Sequence, residues 1–218
     1  MHIGLIGGIG PAATDLYHRG LIEQVGPGLD LTIAHASSAT LIANQGAGRA
    51  DAQAAIFATL TERLERAGAE TVAVTSIAGH FCIDAFKAVS RLPVLDLLDS
   101  LAAHVADKGF RKVGVLGTRP VMESAVYGRL PGATVLAPSK LDAVHQAYVD
   151  MAMSGEATEA RRAVFFEAGR ALCADQGAEA VILGGTDLFL AFDGQEPGFP
   201  VIDAARAHID EIAQAALG

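Results

Sequence analysis

Two stretches gather the residue types that can hold a small acid and move a proton. Gly68–His80 reads GAETVAVTSIAGH, and Gly177–Asp187 reads GAEAVILGGTD. Each has a Gly-Ala-Glu turn, an apolar run too short for a buried helix, and then a break into small and hydroxylated residues. Thr75, Ser76 and His80 follow the first run, while Gly185, Thr186 and Asp187 follow the second. Hydroxyls and free backbone amides suit a carboxylate, whereas an imidazole or a carboxylate side chain can exchange a proton. The chemistry on offer is recognition of a small anion coupled to proton transfer. Each residue also has a plainer reading: Ser76 and Thr186 as caps, His80 satisfied by a backbone carbonyl, Asp187 holding a loop.

The elements that must position these residues repeat along the chain. HIGLIGG at His2–Gly8 returns as KVGVLGT at Lys112–Thr118, and LPVLDLL at Leu92–Leu98 returns as FPVIDAA at Phe199–Ala205. Gly4 and Gly114, Ala69 and Ala178, and Pro93 and Pro200 are separated by 110, 109 and 107 residues. Three matches in one order point to a duplicated αβ unit. The expected fold is α/β, with two pseudo-symmetric halves, each an open, mostly parallel sheet flanked by helices, and a cleft between them. The first half covers 1–98 and is joined by the C-terminal helix 206–218; the second covers 99–205. Open parallel sheets bind ligands beyond the carboxyl ends of their strands, where both motifs fall. An offset of 109 makes Ser76 and Gly185 counterparts.

Further candidates lie at other strand ends. Gly7-Gly8-Ile9-Gly10-Pro11 follows the first strand and precedes a helix over about 12–25, so Gly8 and Gly10 offer amides to a carboxylate or form a structural turn. The spacing is not GxGxxG, and no acidic residue is placed for a ribose, which argues against a dinucleotide. Ser37 sits in the hydroxyl cluster after strand 31–34, as a ligand contact or an N-cap. Asn44, Gln45 and Arg49 are expected in a flexible, Gly-rich passage, with Arg49 facing a carboxylate or water. Thr118 ends the strand 112–116 as a carboxylate contact or a cap, beside Arg119, and a helix is expected over 121–127.

Composition narrows the classes. Sixteen basic and 25 acidic residues give a formal charge of −9, and no basic run is longer than two residues, as at Arg161-Arg162, so nucleic acid is not an expected partner. Cys82 and Cys173 have no metal spacing and read as reduced core thiols, which points to the cytoplasm. MHIGLIGG has no basic n-region and no apolar stretch reaches membrane length, so no membrane partner is expected. No metal, nicotinamide, flavin or pyridoxal cofactor is indicated.

Taken in order, IGLIGGIGPAAT at Ile3–Thr14, the two opening motifs, GTRPVMESAVY at Gly117–Tyr127 and the continuation to Leu190 resemble the Asp/Glu racemase family of the aspartate, glutamate and hydantoin racemase superfamily. The resemblance implies a cofactor-independent, two-base enzyme that removes the proton alpha to a carboxylate and returns it on the other face, and it implies a homodimer. In that family the first base is usually cysteine in Cys-Asn-Thr-Ala-His, sometimes threonine, and the second is cysteine in Gly-Cys-Thr-Glu. Here Ser76-Ile77-Ala78-Gly79-His80 and Gly184-Gly185-Thr186-Asp187 correspond. His80 and Thr186 match and Asp187 keeps the acidic character, while Ser76 and Gly185 replace the thiols. A thiol of reference pKa near 8.5 is tunable, whereas glycine has nothing to donate.

The resemblance therefore implies racemase-like α-proton transfer on an acidic amino acid of the aspartate or glutamate type. Ser76, His80 and Asp187 would be catalytic, and Gly8, Gly10, Ser37, Thr75, Thr118, Gly185 and Thr186 would bind substrate. A catalytically silent homologue that binds a small carboxylate, a decarboxylase or isomerase of a related dicarboxylic acid, and an interaction protein using only the fold remain as alternatives.

Overall fold

Parallel strands joined by helices account for nearly all of the chain. The computed structural model describes residues 1–8 and 10–218; Ile9, part of the first glycine-rich turn, lies outside the described residues. The chain divides into two compact units, Met1–Leu97 with Ala205–Gly218, and Leu98–Ala204.

The first unit runs β1 (Ile3–Gly7), α1 (Pro11–Val25), β2 (Leu31–His35), α2 (Ser38–Gly46), α3 (Ala50–Arg66), β3 (Thr71–Val74), α4 (Ile83–Val89) and β4 (Val94–Leu95). The second runs through α5 (Leu97–Asp107), β5 (Lys112–Gly117), α6 (Arg119–Glu123), β6 (Thr134–Leu136), α7 (Leu141–Ser154), α8 (Glu159–Ala174), β7 (Ala180–Gly184), α9 (Phe189–Phe192) and β8 (Val201–Asp203). Helix α10 (Ala204–Leu217) then returns to the first unit. Strand orders are β2-β1-β3-β4 and β6-β5-β7-β8, and every pairing is parallel. Strands covered by helices on both faces should read as unbroken apolar runs, and β1, β3 and β7 are buried at every residue.

The repeated Gly-Ala-Glu turn now has a physical cause in each unit. Gly68 and Gly177 end the preceding helix at φ +99° and +74°, a conformation that favours glycine. Ala69 and Ala178 are buried. Glu70 accepts the His2 amide at 2.7 Å, and Glu179 accepts those of Arg111 and Lys112 at 2.6 and 2.8 Å. Each glutamate thereby ties the turn to the start of the neighbouring strand, and these two bonds hold the Glu179 carboxyl below its ordinary pKa.

The glycine inside each opening strand is also structural. A Cβ on Gly4 would stand 3.0 Å from Leu64 Cδ1, and one on Gly114 would stand 2.8 Å from Leu172 Cδ1. A leucine of α3 or α8 packs directly on bare backbone at that point.

Two stretches differ from the sequence expectation. Asn44 and Gln45 belong to α2 rather than to a flexible passage, because Asn44 donates to buried Gln53 at 2.9 Å and accepts from Arg49 Nε at 3.0 Å. The helix expected over 121–127 stops at Glu123, and Ala125, Val126 and Tyr127 turn left-handed at φ 51°, 57° and 57°. Ser124 Oγ donates to the Pro120 carbonyl at 2.6 Å and accepts the Tyr127 amide at 3.0 Å, which diverts the backbone from the helical ladder. The left-handed conformation costs about 1–2 kcal/mol per residue, most plainly at β-branched Val126.

Candidate functional site

In both sheets the chain leaves the first strand to one side and later resumes on the other, so the carboxyl ends of β1 and β3, and of β5 and β7, are the switch points where open α/β sheets take ligands. Gly8 and Gly10 follow β1, Thr75, Ser76 and His80 follow β3, Thr118 follows β5, and Gly185, Thr186 and Asp187 follow β7, while Ser37 follows β2.

At the β1/β3 tip the glycines serve backbone packing. Gly8 has φ +109°, and a Cβ there would lie 2.3 Å from the Ala36 carbonyl oxygen. Its amide donates to Thr14 Oγ1 at 3.2 Å. Gly10 is the N-cap of α1 and supplies no side-chain cap. Ser37, exposed, caps α2 by accepting the Thr40 amide. Thr75 donates its amide and its hydroxyl to the Ile6 carbonyl, at 3.0 and 3.4 Å, so this side chain faces the neighbouring strand. Ser76 is buried and begins the turn into a 3-10 segment, Ala78–Cys82.

His80, 1% exposed, lies within that segment. Nδ1 sits 2.7 Å from the Ser76 carbonyl and must donate to it, which leaves Nε2 to accept the Leu97 amide at 3.3 Å. Both ring nitrogens are thereby held in place. Asp96 Oδ1 stands 3.7 Å from Nε2, and Asp96 Oδ2 pairs with Lys87 Nζ at 2.5 Å. Sequence reasoning passed over Asp96, although its place at the end of the Leu92–Leu98 repeat was a signal.

At the β5/β7 tip Gly117 pairs with Gly184, and a Cβ on Gly117 would come within 2.5 Å of the Gly184 carbonyl oxygen. Thr118 follows, at the N-cap position of α6, yet its hydroxyl makes no cap. Among the described residues, Thr118 Oγ1 is buried without a hydrogen-bond partner. Arg119 is committed elsewhere, to Glu123 at 3.1 Å and to Asp142. Its charge, after the effect of burial, also lowers the His145 pKa.

Thr186 and Asp187 are buried in the 3-10 turn Thr186–Leu188. Tyr148 of α7 donates its hydroxyl to Asp187 Oδ2 at 3.2 Å. Burial, then the Asp187 charge, hold this phenol protonated well above the ordinary tyrosine range. Tyr148 was invisible to sequence reasoning, since a tyrosine among the apolar positions of a helix reads as core. Gly185 was the available signal, because a bare residue at a strand tip leaves room for a neighbour.

Neither thiol is activated. Burial pushes Cys82 up to about 12, while its hydrogen bond to the backbone opposes the shift, and burial also raises Cys173. Among the described residues there is no group of three or more His, Cys, Asp or Glu able to hold a metal ion, and no helix is long and apolar enough to cross a membrane.

A family profile described as Asp/Glu/Hydantoin racemase matches residues 6–212. The chain belongs to that family. Solved structures agree on the racemase fold: a proposed Asp/Glu racemase from Yersinia pestis is 28% identical, with a TM-score of 0.86 over 100% of both chains. An aspartate racemase homologue from Pyrococcus horikoshii is 24% identical, with a TM-score of 0.82 over 100% of this chain and 99% of that one. Picrophilus torridus aspartate racemase is 18% identical, with a TM-score of 0.81 over 99% and 94%. Two parallel four-stranded sheets flanked by helices are thus the racemase-family architecture.

Proposed function

We propose that this protein labilises the α-proton of a small acidic amino acid of the aspartate or glutamate type, without a cofactor, as a racemase-like enzyme. The observation that carries the reading is the buried hydroxyl of Thr118, unpartnered among the described residues at the β5/β7 tip. An unsatisfied buried hydroxyl costs about 1–3 kcal/mol, which a ligand oxygen would relieve. Removing an α-proton pushes negative charge into the substrate carboxylate, so a donor waiting there stabilises the developing charge. Thr118 is the proposed carboxylate donor, with Thr186 and the backbone at Gly185 beside it. Ser76 and Asp187 are among the proposed proton-handling groups of their tips. His80 contributes by holding the Ser76 carbonyl, since both ring nitrogens are engaged. The family resemblance also supports a homodimer, which sedimentation of the purified chain would test, while the two isolated cysteines support a cytoplasmic location.

The direct experiment is loss of the α-proton in deuterated water, followed by NMR for both enantiomers of aspartate and glutamate. Exchange is expected in the wild type, and Thr118→Val is expected to weaken saturation by about tenfold, the loss of one hydrogen bond of about 1.4 kcal/mol. A wild type inert toward all four compounds would sink the reading. One observation favours a second reading, a silent carboxylate binder: Gly185 offers no side chain, and burial holds both thiols above their ordinary pKa. Saturable binding without exchange is its signature.

A further inference from the structure

We propose that Tyr148 is the proton-donating residue of the β7 tip, its phenol occupying the space that a side chain on Gly185 would take. The inference rests on the α-proton chemistry proposed above and assigns one of its groups. A Cβ on Gly185 would fall 2.2 Å from Tyr148 Cε2, 2.6 Å from Cζ and 2.8 Å from the phenolic oxygen. That oxygen therefore stands within about two bond lengths of the missing carbon, where the outer atoms of a short side chain would lie.

The surroundings fit a donor. Tyr148 is 7% exposed, and its O–H points to Asp187 Oδ2 at 3.2 Å. The neighbouring carboxylate orients the phenol and disfavours its ionisation, so the group carries its proton at neutral pH. Gly117 and Gly184, paired across β5 and β7, bring the buried Thr118 hydroxyl to the same strand edge. A carboxylate donor and a proton donor are thereby supplied by one unit.

A base takes the α-proton, and the electron pair of the broken C–H bond stays on the α-carbon and spreads into the substrate carboxylate. The carbon then takes the phenolic proton: a C–H bond forms, the O–H bond breaks, and its electron pair remains on the tyrosine oxygen. The phenolate regains a proton from water, and the hydroxide so released takes the proton that the base had removed, which restores both groups.

The test uses the full chain in the deuterium-exchange assay, with Tyr148→Phe and Gly185→Ala. Phenylalanine keeps the ring and removes only the hydroxyl, whereas a methyl at 185 displaces the ring while the hydroxyl remains on it. Both variants are expected to lose exchange by about a hundredfold or more, the scale of a general acid, with the half-saturating substrate concentration changed by less than about threefold. A purely structural tyrosine would instead lower the melting temperature and leave exchange in the folded fraction unchanged. Exchange in folded Tyr148→Phe within about threefold of wild type overturns the tyrosine's role and leaves the proposed reaction standing. If Tyr148→Phe does not fold, exchange at the wild-type rate in folded Gly185→Ala overturns it equally. A wild type that never exchanges overturns the proposed reaction and the tyrosine's role together.

Discussion

At the scale of single residues, His208 shows how a buried polar group can be wholly structural in a chain rich in candidate catalysts. Tyr17 donates its hydroxyl to Nδ1 at 2.9 Å, and Nε2 donates to the Leu95 carbonyl at 3.1 Å, so the neutral ring is satisfied on both sides. Burial first, then the nearby His80, push its pKa down to about 3, against the partial opposition of the Leu95 bond. The unfolded chain, with an ordinary histidine near 6.5, binds the proton more readily. Stability from this group is therefore complete above about 6.5 and falls as the pH drops toward 3, by about 1.4 kcal/mol per pH unit. Urea unfolding at pH 5 should give about 2 kcal/mol less stability than at pH 7, and His208→Asn should flatten that difference. His145 shifts in the same direction but is present in both proteins, so the change in slope reports His208. An unchanged slope would contradict the assignment.

At the scale of elements, what the sequence made legible was whatever the duplication wrote twice. The Gly-Ala-Glu turns, the paired opening strands and the positions of the strand tips all recur at nearly constant spacing, and each recurs in the structure for the same reason. Gly4 under Leu64 and Gly114 under Leu172 belong to this class. The parts that were not legible depend on one side chain meeting another far along the chain. Tyr148 reaching Gly185, Arg119 committed to Asp142 and Ser124 turning the backbone at Tyr127 leave no periodic mark. Gly114→Ala tests the repeated contact. A methyl 2.8 Å from Leu172 Cδ1 and 3.1 Å from its Cβ forces α8 outward. The expected loss is about 1–3 kcal/mol in urea unfolding, and restoring space with Gly114→Ala/Leu172→Ala should give a cost smaller than the sum of the two single changes. Additive losses would show that the helix does not rest on that glycine.

At the scale of the whole molecule, the chain passes to the second unit after Leu97 and comes back at Ala205, so the first unit is closed by its last helix. Ala205, Ile209, Ile212 and Ala213 of α10 join Ile3, Leu5, Tyr17, Leu21 and Ala73 in one buried cluster. The returning helix is thus part of the first unit's core, and the fold of β1 and β3 depends on residues over a hundred positions away. Tyr17 and His208 add a hydrogen bond between α1 and α10 within that core. Ile212→Ala removes a fully buried side chain and should cost about 2–5 kcal/mol. The loss should be confined to one unit, because every described member of this cluster belongs to the first. Native-state hydrogen exchange is the suitable readout, since it resolves separate unfolding free energies within one chain. Protection should drop in Ile3–Gly7 and Thr71–Val74 and hold in Lys112–Gly117 and Ala180–Gly184. An equal drop in all four strands would mean that the two units unfold as one, and that the returning helix secures more of the molecule than the unit whose core it completes.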